Sequence, residues 1–293
     1  MRGLRVLSRA DWSARAAAHR ERVAPWTRAR VERRERGEAH PVHDFLFEYY
    51  NLSPGALERW HSGLGVALAE APEYRDARAY VELADGTVTA DASRLATRLP
   101  GLRWTRELLG RTAGRAARLQ CFGLHEWAMV YREPEDRRHA VPLRLGAAGT
   151  DEVVESHNLV CTHVDAFRFY TDAARPLNRP TPVRERQLDL EQPGCLHANM
   201  DLYRIAFRML PFIDSRLVAD AFTLAVDIRE IDMRASPYDL AAHGYPPIAI
   251  ETTEGKAEYV RHQRAFARRA EPLRRQLIEQ ADLLIARALE VAA

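Results

Sequence analysis

The sequence predicts a mainly α fold with a minor β component, of the α+β class, built as a single large helical domain carrying a small β-hairpin. Three observations lead there. Apolar residues recur at helical spacing through long stretches, as in Leu217, Ala221, Leu224, Ile228 and Ile231. One segment, YVELADGTVTAD from Tyr80, instead alternates apolar and polar residues around Asp85-Gly86, a pair that closes hairpins. Finally, 293 residues with 46% apolar and 29% charged content suffice for one large core and match neither a disordered nor a fibrous chain.

Taken in order, residues 1–39 form a basic helical N-terminal arm and 40–293 the main domain. Ser8 or Asp11 caps a first helix, and Pro25 opens a second that ends before Gly37. Pro41 then breaks the chain. HDFLFEYYNLSPGALERWH from His43 is two short buried helices joined at Ser53-Pro54-Gly55, with its aromatics in the core. After the hairpin, residues 93–98 resume helix, and Leu99-Pro100-Gly101 turns into a helical pattern reaching Glu133, with Gly110 and Gly114 as breaks. HAVPLRLG from His139 is a short strand ending at Gly146, and Thr150 or Asp151 caps the next helix. An amphipathic helix from Asn199 stops at Pro211, another is capped at Asp214, and a final arginine-rich helix spans about residues 255–291.

The formal charge is only +2, yet Lys256 is the sole lysine among 43 basic residues. Arginine binds phosphate and carboxylate bidentately, so this bias fits an anionic partner as well as a solvated surface. The N-terminus lacks the apolar stretch of a signal peptide, no run is long enough for a membrane span, and three cysteines cannot all pair. A cytoplasmic protein with no membrane association is expected.

Chemistry-bearing residues concentrate between His125 and Tyr203. Each cysteine lies within four residues of a histidine: Cys121 with His125, Cys161 with His157 and His163, Cys195 with His197. On a helix, Cys121/His125 and His157/Cys161 are i,i+4 pairs that present two donors on one face. His125, His157, Cys161 and His163 are therefore candidate ligands for zinc or iron in a metalloenzyme acting on a small molecule, with His197 nearby. A second constellation sets acids beside aromatics. Glu126 and Asp165 are candidate general bases or stabilisers of positive charge developing on a sugar, and His197 with Asp201 forms a further i,i+4 pair in which a carboxylate can polarise an imidazole. Trp127, Tyr131, Phe167 and Tyr203 offer faces on which a flat heterocycle can stack.

HPVHDFLFEYY from His40, LHEWAMVYR from Leu124, THVDAFRFYTDAARPLN from Thr162, QPGCLHANMDLYR from Gln192 and DIREIDMRASPYDL from Asp227 together resemble an actinobacterial family commonly labelled 3-methyladenine DNA glycosylase, over about residues 40–240. The resemblance implies a DNA-binding hydrolase of DNA repair that releases alkylated purines. On this chain's own residues such an enzyme would need no cofactor: Glu126 or Asp165 would activate water beside the His197–Asp201 pair, and Trp127, Tyr131, Phe167 and Tyr203 would hold the extruded base. Leu99-Pro100-Gly101 also looks like the start of a helix-hairpin-helix motif, although Arg103 stands near where that motif has its second glycine. A noncatalytic nucleic-acid binder is the third reading.

Overall fold

The computed structural model describes residues 4–133 and 141–292. About 59% of the chain is helical and 6% is strand, so helix packing sets the architecture. Strands β1 (Arg5–Leu7), β2 (Val66–Leu68), β3 (Tyr80–Glu82) and β4 (Val88–Ala90) form one small sheet in the order β1-β2-β4-β3. β3 and β4 are the expected antiparallel hairpin, with Val81 opposite Thr89 and Gly86 at φ 78° in the turn. β1 runs parallel to β2, and β2 antiparallel to β4. Beneath the sheet, Leu7, Trp12, Trp60, Leu68, Tyr74 and Val88 form a separate small core, closed by the Trp12 indole N–H donating to the Ala69 carbonyl at 2.9 Å.

Helix α1 (Arg9–Glu35) corrects one expectation: it is continuous through Pro25. Trp12, His19, Val23, Ala24 and Thr27 are buried along one face on both sides of the proline. Beyond them Arg30 reaches Asp44 at 2.8 Å, and Arg33 binds the same carboxylate. An interior proline costs a helix about 3 kcal/mol; the buried face and the paired arginines offset it. Of the two candidate caps, Ser8 is the one used, its Oγ accepting from the Asp11 N–H at 3.2 Å.

Two short helices follow as expected, α2 (Phe45–Glu48), which is buried, and α3 (Pro54–Glu58), capped by Ser53, which buries only Leu57, and then α4 (Pro72–Arg75). A 3-10 turn over Ala92–Arg98 leads into α5 (Leu99–Ala113). The helical pattern does not reach Glu133. It breaks at Gly114, and a loop without regular structure runs to the single turn α6 (Leu124–Ala128). α7 (Gly146–Glu155) begins four residues before Thr150. The strand expected over 139–146 begins outside the described residues, and within them only Leu143 makes an isolated bridge, to Tyr238.

After the single turns α8 (Val164–Phe167) and α9 (Gln187–Leu190) come the scaffold helices α10 (Leu196–Arg208), α11 (Ser215–Arg234) and α12 (Thr253–Ala292). These three pack on one another, and α12 also covers α5. At about 1.5 Å per residue α12 is roughly 60 Å long; it buries Tyr259, Phe266, Leu277 and Leu284 along one stripe. The main core lies between α10 and α11, around Met200, Tyr203, Phe222, Leu224 and Ile228. No described helix is long and apolar enough to cross a membrane.

The start of α11 rests on Asp214, whose carboxylate accepts from the Arg216 N–H at 2.7 Å. Asp214→Ala removes that acceptor and is expected to destabilise the fold by about 1 kcal/mol in urea denaturation, as loss of an N-cap does elsewhere. An unchanged midpoint would show that α11 is held by packing alone.

Candidate functional site

The site assembles where α6, α8, α10 and α11 meet. Gly123, at φ 75°, turns the chain into α6, and a Cβ there would stand 3.3 Å from both the Ala235 Cβ and the Tyr259 ring. That close approach seats His125 against α11. Gly194 does the same for α10: a Cβ would collide with the Arg118 backbone, and the Gly194 carbonyl accepts from Gln263 of α12 at 2.6 Å. Cys195 and His197 follow directly and so face α6.

Three histidines converge. The His125 and His197 rings meet edge to face at 4.5 Å between centroids, and His163 lies 5.3 Å from His197. His125, His163 and His197 are 2%, 1% and 6% exposed, so their chemistry is set by protein groups and not by bulk water. Each outer histidine has its own carboxylate partners. His125 Nε2 is 3.0 Å from Asp232 Oδ1, while His163 Nε2 is 3.3 Å from both Asp201 Oδ2 and Glu191 Oε1. His197 stands between them with no hydrogen-bond partner on its ring among the described residues.

The two carboxylate–histidine groups differ in how well they are satisfied. Around His163 nearly every valence is used: the Tyr50 hydroxyl donates to Asp201 at 3.0 Å, Arg204 binds Asp201, and Gln187 donates to Glu191 at 3.0 Å. Burial disfavours the imidazolium, but the two carboxylates overcome it and raise His163 to about 9. Burial likewise opposes charge on Asp201, and His163 and Arg204 reverse that, holding it below the usual carboxylate range. This group is a self-neutralising ion cluster.

Around His125 the balance is incomplete. Asp232 Oδ2 accepts from Arg229 at 3.1 Å, and Arg229 also reaches Glu126 at 2.8 Å. The facing atoms, His125 Nε2 and Asp232 Oδ1, are close but misaligned, and neither has a hydrogen-bond partner. His125 Nδ1 lies 3.5 Å from the Cys121 sulfur. Burial pushes His125 down and the Asp232 carboxylate pushes it up by more, whereas burial and the neighbouring His125 hold His197 well below its ordinary value. The donor atoms of His125, His197 and Asp232 all lie within 4.8 Å of one another.

Beside this group is a cavity of about 90 Å³. His125 and His197 line it together with Cys121, Cys161 and Cys195, and Arg118 and Arg179 are at its rim. No disulfide joins the three thiols. Burial pushes Cys161 up to about 12 and Cys195 well above its ordinary value, which keeps both as neutral thiols.

Other candidates lie apart. His157 donates Nδ1–H to the Val153 carbonyl at 2.7 Å and does not reach the centre. Cys161 lines the cavity without joining the His125 donor group. Glu126 is 4% exposed and bound by Arg229; Asp165 is held by Arg184 and Arg204, each at 2.9 Å. The four aromatics are core residues. Trp127 is fully buried with its indole N–H on the Ala235 carbonyl at 2.9 Å; Tyr131 donates to Glu155 at 2.8 Å; Phe167 packs on Tyr170; Tyr203 is wedged against Tyr50 and Phe222. None of the four lines the cavity.

Asp232, Glu191, Arg229 and Arg204 complete the site and were absent from the sequence candidates. One signal was available for two of them: Arg229 and Asp232 interrupt the apolar stripe of α11 at i,i+3, next to Ile228 and Ile231. Charges on a buried face must meet partners. Compared with family models, curated proteins and solved structures, the chain matches none.

The raised His163 fixes the sign of one pH effect. Its contribution to stability is fully present below its ordinary value of 6.5 and is lost as pH rises through about 9. The urea midpoint of the native chain should therefore fall across that window, and His163→Gln should fall less steeply. Equal slopes for the two proteins would remove the charged His163 from the account.

Proposed function

We propose that the chain is a metal-dependent enzyme that acts on a small molecule, with His125, His197 and Asp232 as the ligands of one divalent transition metal. One observation carries this reading: two buried polar atoms, His125 Nε2 and Asp232 Oδ1, form an ion pair at 3.0 Å whose alignment falls outside hydrogen-bond geometry, and neither has another partner. A buried donor and acceptor that miss a hydrogen bond forfeit up to about 1–3 kcal/mol each. Ligand atoms about 2.1 Å from a shared ion are roughly 3.0–3.4 Å apart, which is the separation these two atoms keep.

The donor set of two imidazoles and one carboxylate suits zinc or iron(II) and leaves coordination positions open toward the cavity. Such a metal supplies a water of lowered pKa as nucleophile. His197, neutral and unpartnered, is ready to bind without first losing a proton. Cys121, on the Nδ1 side of His125, orients the ring so that Nε2 faces Asp232, and Arg229 does the same for the carboxylate. Hydrolysis is the reaction this arrangement supports without a further co-reactant. The cavity is small, so the substrate enters by one end, with the Arg118 and Arg179 side of the rim suited to an anionic group.

Base excision finds less support. A flipped purine needs a stacking pocket, and the aromatics that would form one are packed in the core; the candidate bases Glu126 and Asp165 are engaged by arginines.

The test is metal content with its function. The purified full chain should bind about one equivalent of zinc or iron(II). His197→Gln and Asp232→Asn should lose most of it, whereas Asp165→Asn should retain it. The cobalt(II)-substituted protein should change its visible absorption on adding azide, as an open coordination position requires, and should hydrolyse 4-nitrophenyl acetate faster than the metal-free chain. Metal uptake that survives both ligand substitutions would contradict the assignment.

A further inference from the structure

A second depression, of about 950 Å³, lies between the end of α3, the start of β3, the 3-10 turn over Ala92–Arg98 and the C-terminal end of α10. It borrows nothing from the metal reading. Four arginines line it, Arg59, Arg78, Arg94 and Arg98, with His61. No Asp or Glu is among its described lining residues. Arg94 is paired with Asp91 just outside, at 3.3 Å. Arg59 and Arg78 have no carboxylate within 4.0 Å among the described residues, although most of the chain's ion pairs are made by arginine.

Arg98 is the built element of the cleft. Its guanidinium stacks 4.8 Å from the Phe212 ring centroid and donates to the carbonyls of Arg208 and Leu210 at 3.2 and 3.0 Å. It is thus held in place before any ligand arrives. Burial lowers its pKa, and the like charges of Arg78 and Arg94 lower it further, so the three guanidiniums work against one another. His61 adds no further positive charge, since burial pulls it down to about 4 and it is neutral near pH 7. A convergence of positive groups without acids is relieved by a ligand bearing several negative charges, and planar guanidiniums match phosphate oxygens. Leu52, Phe207, Leu210 and Pro211 add an apolar wall, and the volume is that of a small-ligand site.

We propose that this cleft binds a small molecule carrying two or more phosphate groups, with Arg59, Arg78, Arg94 and Arg98 as phosphate ligands and the apolar wall against the organic part. Arg98 sets the geometry of the site; Arg59 and Arg78 close on the ligand from the rim.

Calorimetric titration of the full chain with inorganic tripolyphosphate in low salt tests it. One binding event is expected, weakened roughly tenfold or more by Arg59→Gln with Arg78→Gln. The control pair Arg269→Gln with Arg287→Gln, equal in charge but on the exposed side of α12, should leave it unchanged. Absence of binding, or equal weakening by the two pairs, would overturn the site. If a twelve-residue oligodeoxythymidine bound more tightly and displaced tripolyphosphate, the cleft would belong to a nucleic-acid strand and the small-molecule assignment would fall. Unchanged circular dichroism spectra in both double variants separate these outcomes from misfolding.

Discussion

The need to satisfy charges that have been taken out of water governs the centre of this molecule. Glu126, Glu191, Asp201 and Asp232 are all buried where α6, α8, α10 and α11 meet. Placing one such ion in a protein interior costs several kcal/mol, and removing its partner typically destabilises by about 3–5 kcal/mol. Each carboxylate therefore dictates a neighbour: Arg229 for Glu126 and Asp232, Arg204 and Tyr50 for Asp201, Gln187 and His163 for Glu191. Three of these pairings, Arg229 with Glu126, Tyr50 with Asp201 and His163 with Glu191, join segments distant in sequence, so the polar centre fixes the relative placement of short helices that have little length of their own with which to do so.

Within that constraint the two histidine groups follow different courses. The His163 cluster closes on itself, with charge balanced and hydrogen bonds made, and serves as a rigid floor. The His125 group leaves Nε2 and Oδ1 ion-paired but out of hydrogen-bond alignment, with the His197 ring against them. The incompletely hydrogen-bonded group is the one that adjoins the cavity lined by all three cysteines. This contrast, more than any single residue, separates the proposed ligand set from an ordinary buried ion pair.

Local rules made much of the architecture legible. The Asp85-Gly86 turn, the Asp214 cap and the apolar stripe of α11 each report a nearby geometric need, and each is present. The crowding of histidine and cysteine along the chain marks the region of the site, but the convergence of His125, His163 and His197 is set by tertiary packing and is not written in their spacing. What failed depends on distant partners. Pro25 reads as a boundary, yet the buried face of α1 carries the helix through it. Trp127 and Tyr203 read as stacking surfaces because an aromatic beside an acid looks the same in sequence whether it faces a ligand or the core. His157 fits the i,i+4 pattern with Cys161, but α7 ends at Glu155, so the two never share a helical face. Glu191 lies between a single-turn helix and a glycine-containing loop, where periodicity carries no information.

The most direct measurement is X-ray diffraction from crystals of the native full-length chain, recorded on either side of the zinc and iron absorption edges. A single anomalous peak within bonding distance of His125 Nε2, His197 and Asp232 Oδ1, and none at the His163 cluster, is the predicted result. Ordered water alone at that point, with His125 and Asp232 hydrogen-bonded to each other, would contradict the account.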